Sequence, residues 1–369
     1  MASMFDYLQW RGDLSFTQDP PNAVDALIFS ALSYIQFGGS VEREPRNPML
    51  LRNAAEEFFL LEDFKSRVRV EKDLELLRMA AETVRFGYSR LCMYQDHYIP
   101  QQETQFAAVT FLLDDGSAFL AFRGTDDTLI GWKEDFNMSF QQTVPAQRLA
   151  LQYTRNVASE YMVPMRLGGH SKGGNVAVFA AARSSPMIQQ RILEVYNNDG
   201  PGFTDYMIGD PGYIAMVPRI KTFVPQSSVI GMLLEHEEPY TVIRSKQVSL
   251  LQHEPYSWEI MGKSLIPVQE MTIDSRFLDV AIKIWFSEMT NQERNRLVDV
   301  MFGLLGTGGV ETTMEILHPK NIRNYLKTLS EDENMRKILS TEFQGFIEAA
   351  RRTKAIFDAD RKNLEEGEG

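Results

Sequence analysis

The run Gly169-His170-Ser171-Lys172-Gly173 sets a serine between two glycines. A serine hydroxyl is a weak nucleophile until a base takes its proton and donors receive the charge of the addition intermediate. The five-residue pattern alone says little, since it arises by chance in roughly one chain in ten of this size. Its flanks say more. "MVPMRLGG" before it reads as a short buried strand, and "GNVAVFAAARSS" after it as a helix rich in small residues. Strand in, sharp turn, helix out forces the serine into a strained backbone conformation with its hydroxyl at the sheet's C-terminal edge. A Cβ at Gly169 or Gly173 would meet the neighbouring strand or helix, and the helix dipole points at any developing negative charge. A plain structural turn is the alternative. A phosphate-binding loop is not, because Gly174-Asn175 stands where Lys-Ser/Thr is required after Gly168-x-x-x-x-Gly173. With no His-Glu-x-x-His and one cysteine, no cofactor or metal is expected.

A serine of this kind on an open α/β sheet takes its partners in the order Ser, acid, His. Of five histidines, His97 precedes the serine and His170 is the elbow's own x residue, expected to pack in the core. His318 lies among helical patterns. His253 follows "YTVIRS", the last strand, after a short loop, and is preferred over His236, which follows the apolar run "VIGMLLE". For the acid, Asp199 ends the strand "RILEVYNND" and is the favoured choice, although Asn-Asp-Gly-Pro is equally a turn sequence.

A second motif lies upstream in "AFLAFRGTDDTLIGWKEDF" (118–136). Phe-Arg-Gly-Thr, Gly-Trp-x-x-Asp and Gly-His-Ser-x-Gly-Gly together resemble the class 3 (fungal-type) lipases of the α/β-hydrolase fold over residues 105–230. The whole chain, with "PQSSVIGMLLEH" and "QHEPYSW", is still more similar to a bacterial family of lipase-like proteins without an assigned function. The resemblance implies an oxyanion hole from Thr125 and the backbone N–H of Lys172. Arg123 and Asp135 could pair to hold that loop, with Trp132 packed beneath it; a surface ion pair and an ordinary core aromatic are the equal alternatives. Two departures stand out. The lipase pattern places an aspartate after "RIKTFVP", where this chain has Gln226, Ser227 and Ser228, so Ser227, Ser228 and Glu235 remain alternatives to Asp199. Lys172 replaces a residue that is more often apolar; it would suit an anionic acyl donor or a phospholipid head group, or point to solvent.

The elements that must position these residues follow from periodicity. "NAVDALIFSALSYIQF" (22–37) is helical with Asn22 as N-cap, and 52–85 reads as charged amphipathic helix. "FAAVTFLLDDGSAFLAFRG" is two strands around an Asp-Gly turn. "AQRLALQYTRNVASEY" (146–161) is helix; "RILEVYNN", "RIKTFVP" and "YTVIRS" are strands. Strands alternating with helices at this spacing give a mainly parallel sheet with helices on its faces. Beyond 275 the pattern is helical, with capping boxes at "TNQE" and "SEDE", and the final "NLEEGEG" reads as disordered. The expected organisation is a helical N-terminal part over 1–104, an α/β-hydrolase core over 105–274 and a helical appendage over 275–369.

The bulk properties bound the partners. A net charge of −12 over 369 residues argues against nucleic acid and against more than peripheral contact with anionic membranes. One cysteine, Cys92, no basic-then-apolar leader and no long apolar run fit a cytoplasmic protein. The leading functional expectation is hydrolysis of a carboxylic ester, a lipid or lysolipid acyl ester by the resemblance. The alternatives are a thioesterase, acyltransferase or peptidase with the same triad, or a non-catalytic hydrolase-fold binding module.

Overall fold

The computed structural model describes residues 2–44, 47–126, 128–307, 309–310, 313–316 and 318–367. Eight strands form one sheet in strict chain order: β1 (Met49–Leu50), β2 (Arg90–Ile99), β3 (Thr104–Leu112), β4 (Ala118–Phe122), β5 (Met165–His170), β6 (Ile192–Asn198), β7 (Ile220–Pro225) and β8 (Tyr240–Ile243). β1 to β4 pair antiparallel; β4 to β8 pair parallel. The β3–β4 hairpin turns at Gly116 with φ +81°, a value open to glycine at no steric cost. The sheet thus begins before residue 105, the boundary expected from the sequence. The reason is local: β2 carries a register shift between Cys92 and Gln95, with Met93 at φ +55°, and this breaks the period-2 signal that marks a strand.

Parallel strands laid down in one direction, each joined by a right-handed crossover, put all crossover helices on one face. Helices Pro145–Glu160, Lys172–Ala182 and Pro211–Met216 accordingly share a core with Ala118, Leu120 and Phe122 of β4. The alternate residues, Phe119 and Ala121, face the other way. There the N-terminal helices cover them, chiefly Ala23–Leu32, whose Asn22 cap bonds the Val24 and Asp25 N–H groups. Helices therefore flank both faces of an α/β sheet.

Beyond the sheet the chain is helical. Helix Asn291–Leu305 has the expected Thr290–Glu293 capping box. The expected box at "SEDE" does not form: Ser330 bonds back to the Lys327 carbonyl, and Asp332 instead accepts the Met335 N–H. The last helix runs Glu333–Gly367, through most of "NLEEGEG", because a helix once nucleated propagates at little cost per residue. Glu368 and Gly369 lie outside the described residues. Among the described residues no helix is long and apolar enough to cross a membrane.

Candidate active site

The C-terminal ends of β4 to β8 converge on one sheet edge. β5 runs into Ser171, which has φ +58° and ψ −133° and precedes helix Lys172–Ala182. A side chain at positive φ is strained, and here it turns the serine out of the strand between two packed elements. A Cβ on Gly169 would lie 2.2 Å from the Gly173 carbonyl carbon, and one on Gly173 2.2 Å from the Phe122 oxygen. The glycines let the first helical turn sit directly on the end of β4. Gly124 closes the same junction: a Cβ there would be 2.4 Å from the His170 oxygen and 3.2 Å from Ser171 Cβ.

Asp199 follows β6 with φ +57° and is completely buried. Asn197 bonds the Gly200 N–H, and Asn175 of the elbow helix bonds the Pro201 and Gly202 carbonyls, fixing the turn that carries it. Asp199 Oδ2 stands 2.6 Å from His253 Nδ1. Burial pushes its carboxyl up, opposed by His253, the Ser228 hydroxyl and the Gly231 N–H. Ser228, at the position where the lipase pattern has its aspartate, donates to Asp199 Oδ1. The charge sits on the neighbouring strand and the hydroxyl supports it.

His253 ends the short helix Ser249–His253 after β8, with about a quarter of its side chain exposed. With Nδ1–H donated to Asp199, Nε2 is left to accept a proton. Ser171 Oγ makes no hydrogen bond among the described residues. His170 holds His253 from below: its Nε2 lies 2.7 Å from the His253 carbonyl oxygen and its Nδ1 2.9 Å from Tyr34 Oη. A carbonyl only accepts, so Nε2 carries the proton and Tyr34 donates to Nδ1. Burial first, then the His253 charge, push the His170 pKa well down and keep the ring neutral.

The loop after β4 differs from expectation in three ways. Arg123 does not pair with Asp135. Its N–H bonds the Ala107 oxygen, Ala107 is level with Asp96 in the β2–β3 register, and the guanidinium reaches Asp96 at 2.7 and 2.9 Å. Asp135 instead accepts the Thr125 hydroxyl. Trp132 is not beneath the loop either. Helix Leu129–Asn137 buries Leu129, Gly131, Glu134 and Asn137, which leaves Trp132 exposed. Gly131 lies there, where a Cβ would be 2.8 Å from Thr125 Cγ2. Lys172, finally, faces neither substrate nor solvent: its side chain is 1% exposed and bonds Gln105 and Glu134. The Lys172 N–H, first in its helix, has no intrahelical acceptor.

The alternatives are engaged elsewhere. His236 bonds buried Glu238 through Nδ1 (3.1 Å) and the Gly231 oxygen through Nε2 (2.8 Å), so both ring nitrogens are occupied. Ser227 N–H donates to Gln252 and its hydroxyl meets Thr272. Glu235 is an exposed partner of Lys283. A cavity of about 180 Å³, walled in part by Tyr34, Arg69, Arg123 and Asp126, lies beside Gly124. A larger one, about 680 Å³, lies at the outer sheet edge between β8 and helix Ile273–Ser287, and no residue named above for the site lines it. Sequence reasoning missed Tyr34, Glu134 and Gln105, and each acts through a contact distant in sequence.

With these contacts in place, residues 80–303 match the model of the Mbeg1-like family. The chain belongs to the Mbeg1-like family. The match spans β2 to β8 and hence all the residues at the sheet edge. No curated protein matches. Among solved structures the chain is similar to the crystal structure of M37 lipase, at 13% identity and a TM-score of 0.36 over 57% of this chain and 69% of that one. It is also similar to a mutant form of MDLA from Penicillium cyclopium, at 11% identity and a TM-score of 0.36 over 69% of this chain and 92% of that one.

Proposed function

We propose that this protein is a serine hydrolase of carboxylic esters, and the observation that carries the reading is the 2.6 Å contact between Asp199 and His253 at the sheet edge that also bears Ser171. Ser171 Oγ attacks the ester carbonyl while His253 Nε2 takes its proton. Asp199 holds the imidazole in the Nδ1–H tautomer and stabilises the imidazolium. The oxygen of the tetrahedral intermediate lies between the Thr125 and Lys172 N–H groups. Return of the proton from Nε2 to the alkoxide leaving group breaks the ester C–O bond and leaves an acyl-serine. Water, activated by the same imidazole, releases the acid. A lipid or lysolipid acyl ester is the substrate class, on the resemblance of the Phe-Arg-Gly-Thr and Gly-His-Ser-x-Gly-Gly motifs. The binding-module alternative drew its force from the missing acid, and Asp199 supports the enzymatic reading instead.

A fluorophosphonate probe tests it. Stoichiometric labelling that Ser171→Ala abolishes, with loss of p-nitrophenyl ester hydrolysis by about 10⁶, is the expected result. An unlabelled wild-type protein, or an Ala variant within tenfold of wild type, would end the proposal.

A further inference from the structure

The mechanism uses only the backbone of Lys172, yet its ammonium is among the most completely buried charges in the protein. Nζ donates to the Gln105 carbonyl (3.0 Å), Gln105 Oε1 (2.9 Å) and Glu134 Oε2 (3.1 Å), so its three protons are all engaged. Glu134, fully buried, also accepts the Gln105 N–H at 3.1 Å and the Ala146 N–H at 2.8 Å. Nζ is 3.7 Å from Asp135 Oδ1, the oxygen of that carboxylate with no hydrogen bond; the other oxygen accepts the Thr125 hydroxyl. The two oxyanion donors thus sit at opposite ends of one connected group. Lys172 N–H is at one end. Thr125 is at the other, reached through the Lys172 side chain and the helix Leu129–Asn137.

Resting on the hydrolase reading above, we propose that the Lys172 side chain is a positioning residue: its ammonium clamps helix Leu129–Asn137 through Glu134 and Asp135 and so fixes Thr125 against Lys172's own N–H. Two donors from separate elements must meet one oxygen within about 0.5 Å, and among the described residues no backbone hydrogen bond outside the strands and helices joins the loop after β4 to the elbow helix. A buried ion pair supplies the join. Its charge-assisted bonds are directional, and both side chains are shut away from the surface. Stability alone does not require it, because an apolar residue of the same volume generally serves as well as a buried pair. The charges facing Asp135 agree with this arrangement. Burial pushes its pKa up to about 6, Lys172 and the Thr125 hydroxyl pull it down, Glu134 of its own helix raises it and His253 lowers it.

The test is a double-mutant cycle. Lys172→Met/Glu134→Gln removes both buried charges and keeps the backbone N–H. Expected are a kcat for p-nitrophenyl butyrate lower by roughly 10²–10³ and a KM within threefold, with a lower Tm because glutamine keeps only one of the two oxygens that accept backbone N–H groups. Thr125→Val, which keeps the backbone N–H and removes the hydroxyl bonded to Asp135, should then cost much less in this background than in the wild type, because the donor is already misplaced. A fully active double variant, or effects of the two changes that simply add, overturns the proposal. If the double variant does not fold, Asp135→Asn decides. Its amide oxygen still accepts from Thr125 while the charge facing Nζ is gone. A kcat lowered about tenfold supports the clamp, and an unchanged kcat refutes it. Failure of the hydrolase reading is separate, since it appears in the wild type as absent fluorophosphonate labelling.

Discussion

Replacing Asp199 by asparagine tests the site's chemistry with almost no change of shape. The carboxylate has two unlike sides. Oδ1 accepts the Ser228 hydroxyl, whose oxygen in turn accepts the Gly231 N–H at 3.0 Å, and a Cβ on Gly231 would lie only 2.1 Å from Oδ1. Oδ2 meets one ring nitrogen, His253 Nδ1. An asparagine offers one acceptor and one NH2 donor. Its oxygen should turn to the Ser228 hydroxyl, which is already oriented as a donor because its own oxygen accepts the Gly231 N–H, and this aims the NH2 at Nδ1. His253 must then accept at Nδ1 and carry its proton on Nε2, the nitrogen required to be empty. We expect kcat to fall by about 10⁴, some 5 kcal/mol of transition-state stabilisation. Burial raises the Asp199 pKa, so the ionised form is the costlier one in the folded protein, and the neutral amide should leave Tm at pH 7 at or above that of wild type. Ester hydrolysis measures the first, calorimetry the second, and nitrogen NMR of His253 the tautomer. A folded Asp199→Asn protein within tenfold of wild-type kcat would refute this reasoning.

Thr125→Val keeps the backbone N–H but removes the hydroxyl that ties it to Asp135, and by misplacing that donor should lower kcat by roughly 10²–10³ with little change in KM; a change confined to KM would make it a binding residue. His253→Ala should be as damaging as Ser171→Ala, whereas His236→Ala should keep kcat within tenfold and lower Tm, since it removes a partner from buried Glu238; the opposite ranking would exchange their roles. Asp135, at about 6 in the folded protein against an ordinary 3.8, favours folding below the lower value and loses that contribution as pH rises through the higher one. Between pH 5 and 7, Tm of Asp135→Asn should therefore drop less, or rise more, than that of wild type, and parallel curves would count against the shift.

The parts of this fold that were legible carried local periodicity or a turn with one meaning. The elbow, the strands β3 to β8 and the Asn22 cap are examples. The histidine could be chosen because strand order restricts where a base arrives, and five candidates were few enough for elimination. What was not legible depended on which long side chain reaches which strand. Arg123 and Asp135 are close in sequence and of opposite charge, yet the register of β2 on β3 delivers Asp96 to Arg123 first. Lys172 looked as though it should meet solvent or substrate, because nothing near it in sequence shows that Glu134 and Gln105 form a buried socket. Strand β2 escaped notice because its bulge turns the alternation off midway.

The N-terminal segment is where fold and site become one problem. Because all crossover helices occupy one sheet face, the other face would be bare without helix Ala23–Leu32. The chain leaving that helix delivers Tyr34, whose hydroxyl bonds His170 and stands 2.2 Å from where a Gly124 Cβ would be. Further along, Arg69 grips Glu254 through two bonds of 2.8 and 2.9 Å, and Asp73 accepts the Tyr256 hydroxyl at 2.6 Å. Both anchored residues lie within three positions of His253. That loop follows β8, a four-residue strand at the end of the sheet, so the sheet itself gives it little purchase. His253 is thus held by residues before β2, by Tyr34 through His170 and by Arg69 and Asp73 through its neighbours Glu254 and Tyr256. The family match begins only at residue 80. The segment preceding it nevertheless closes the core and, by the same packing, sets where the histidine stands.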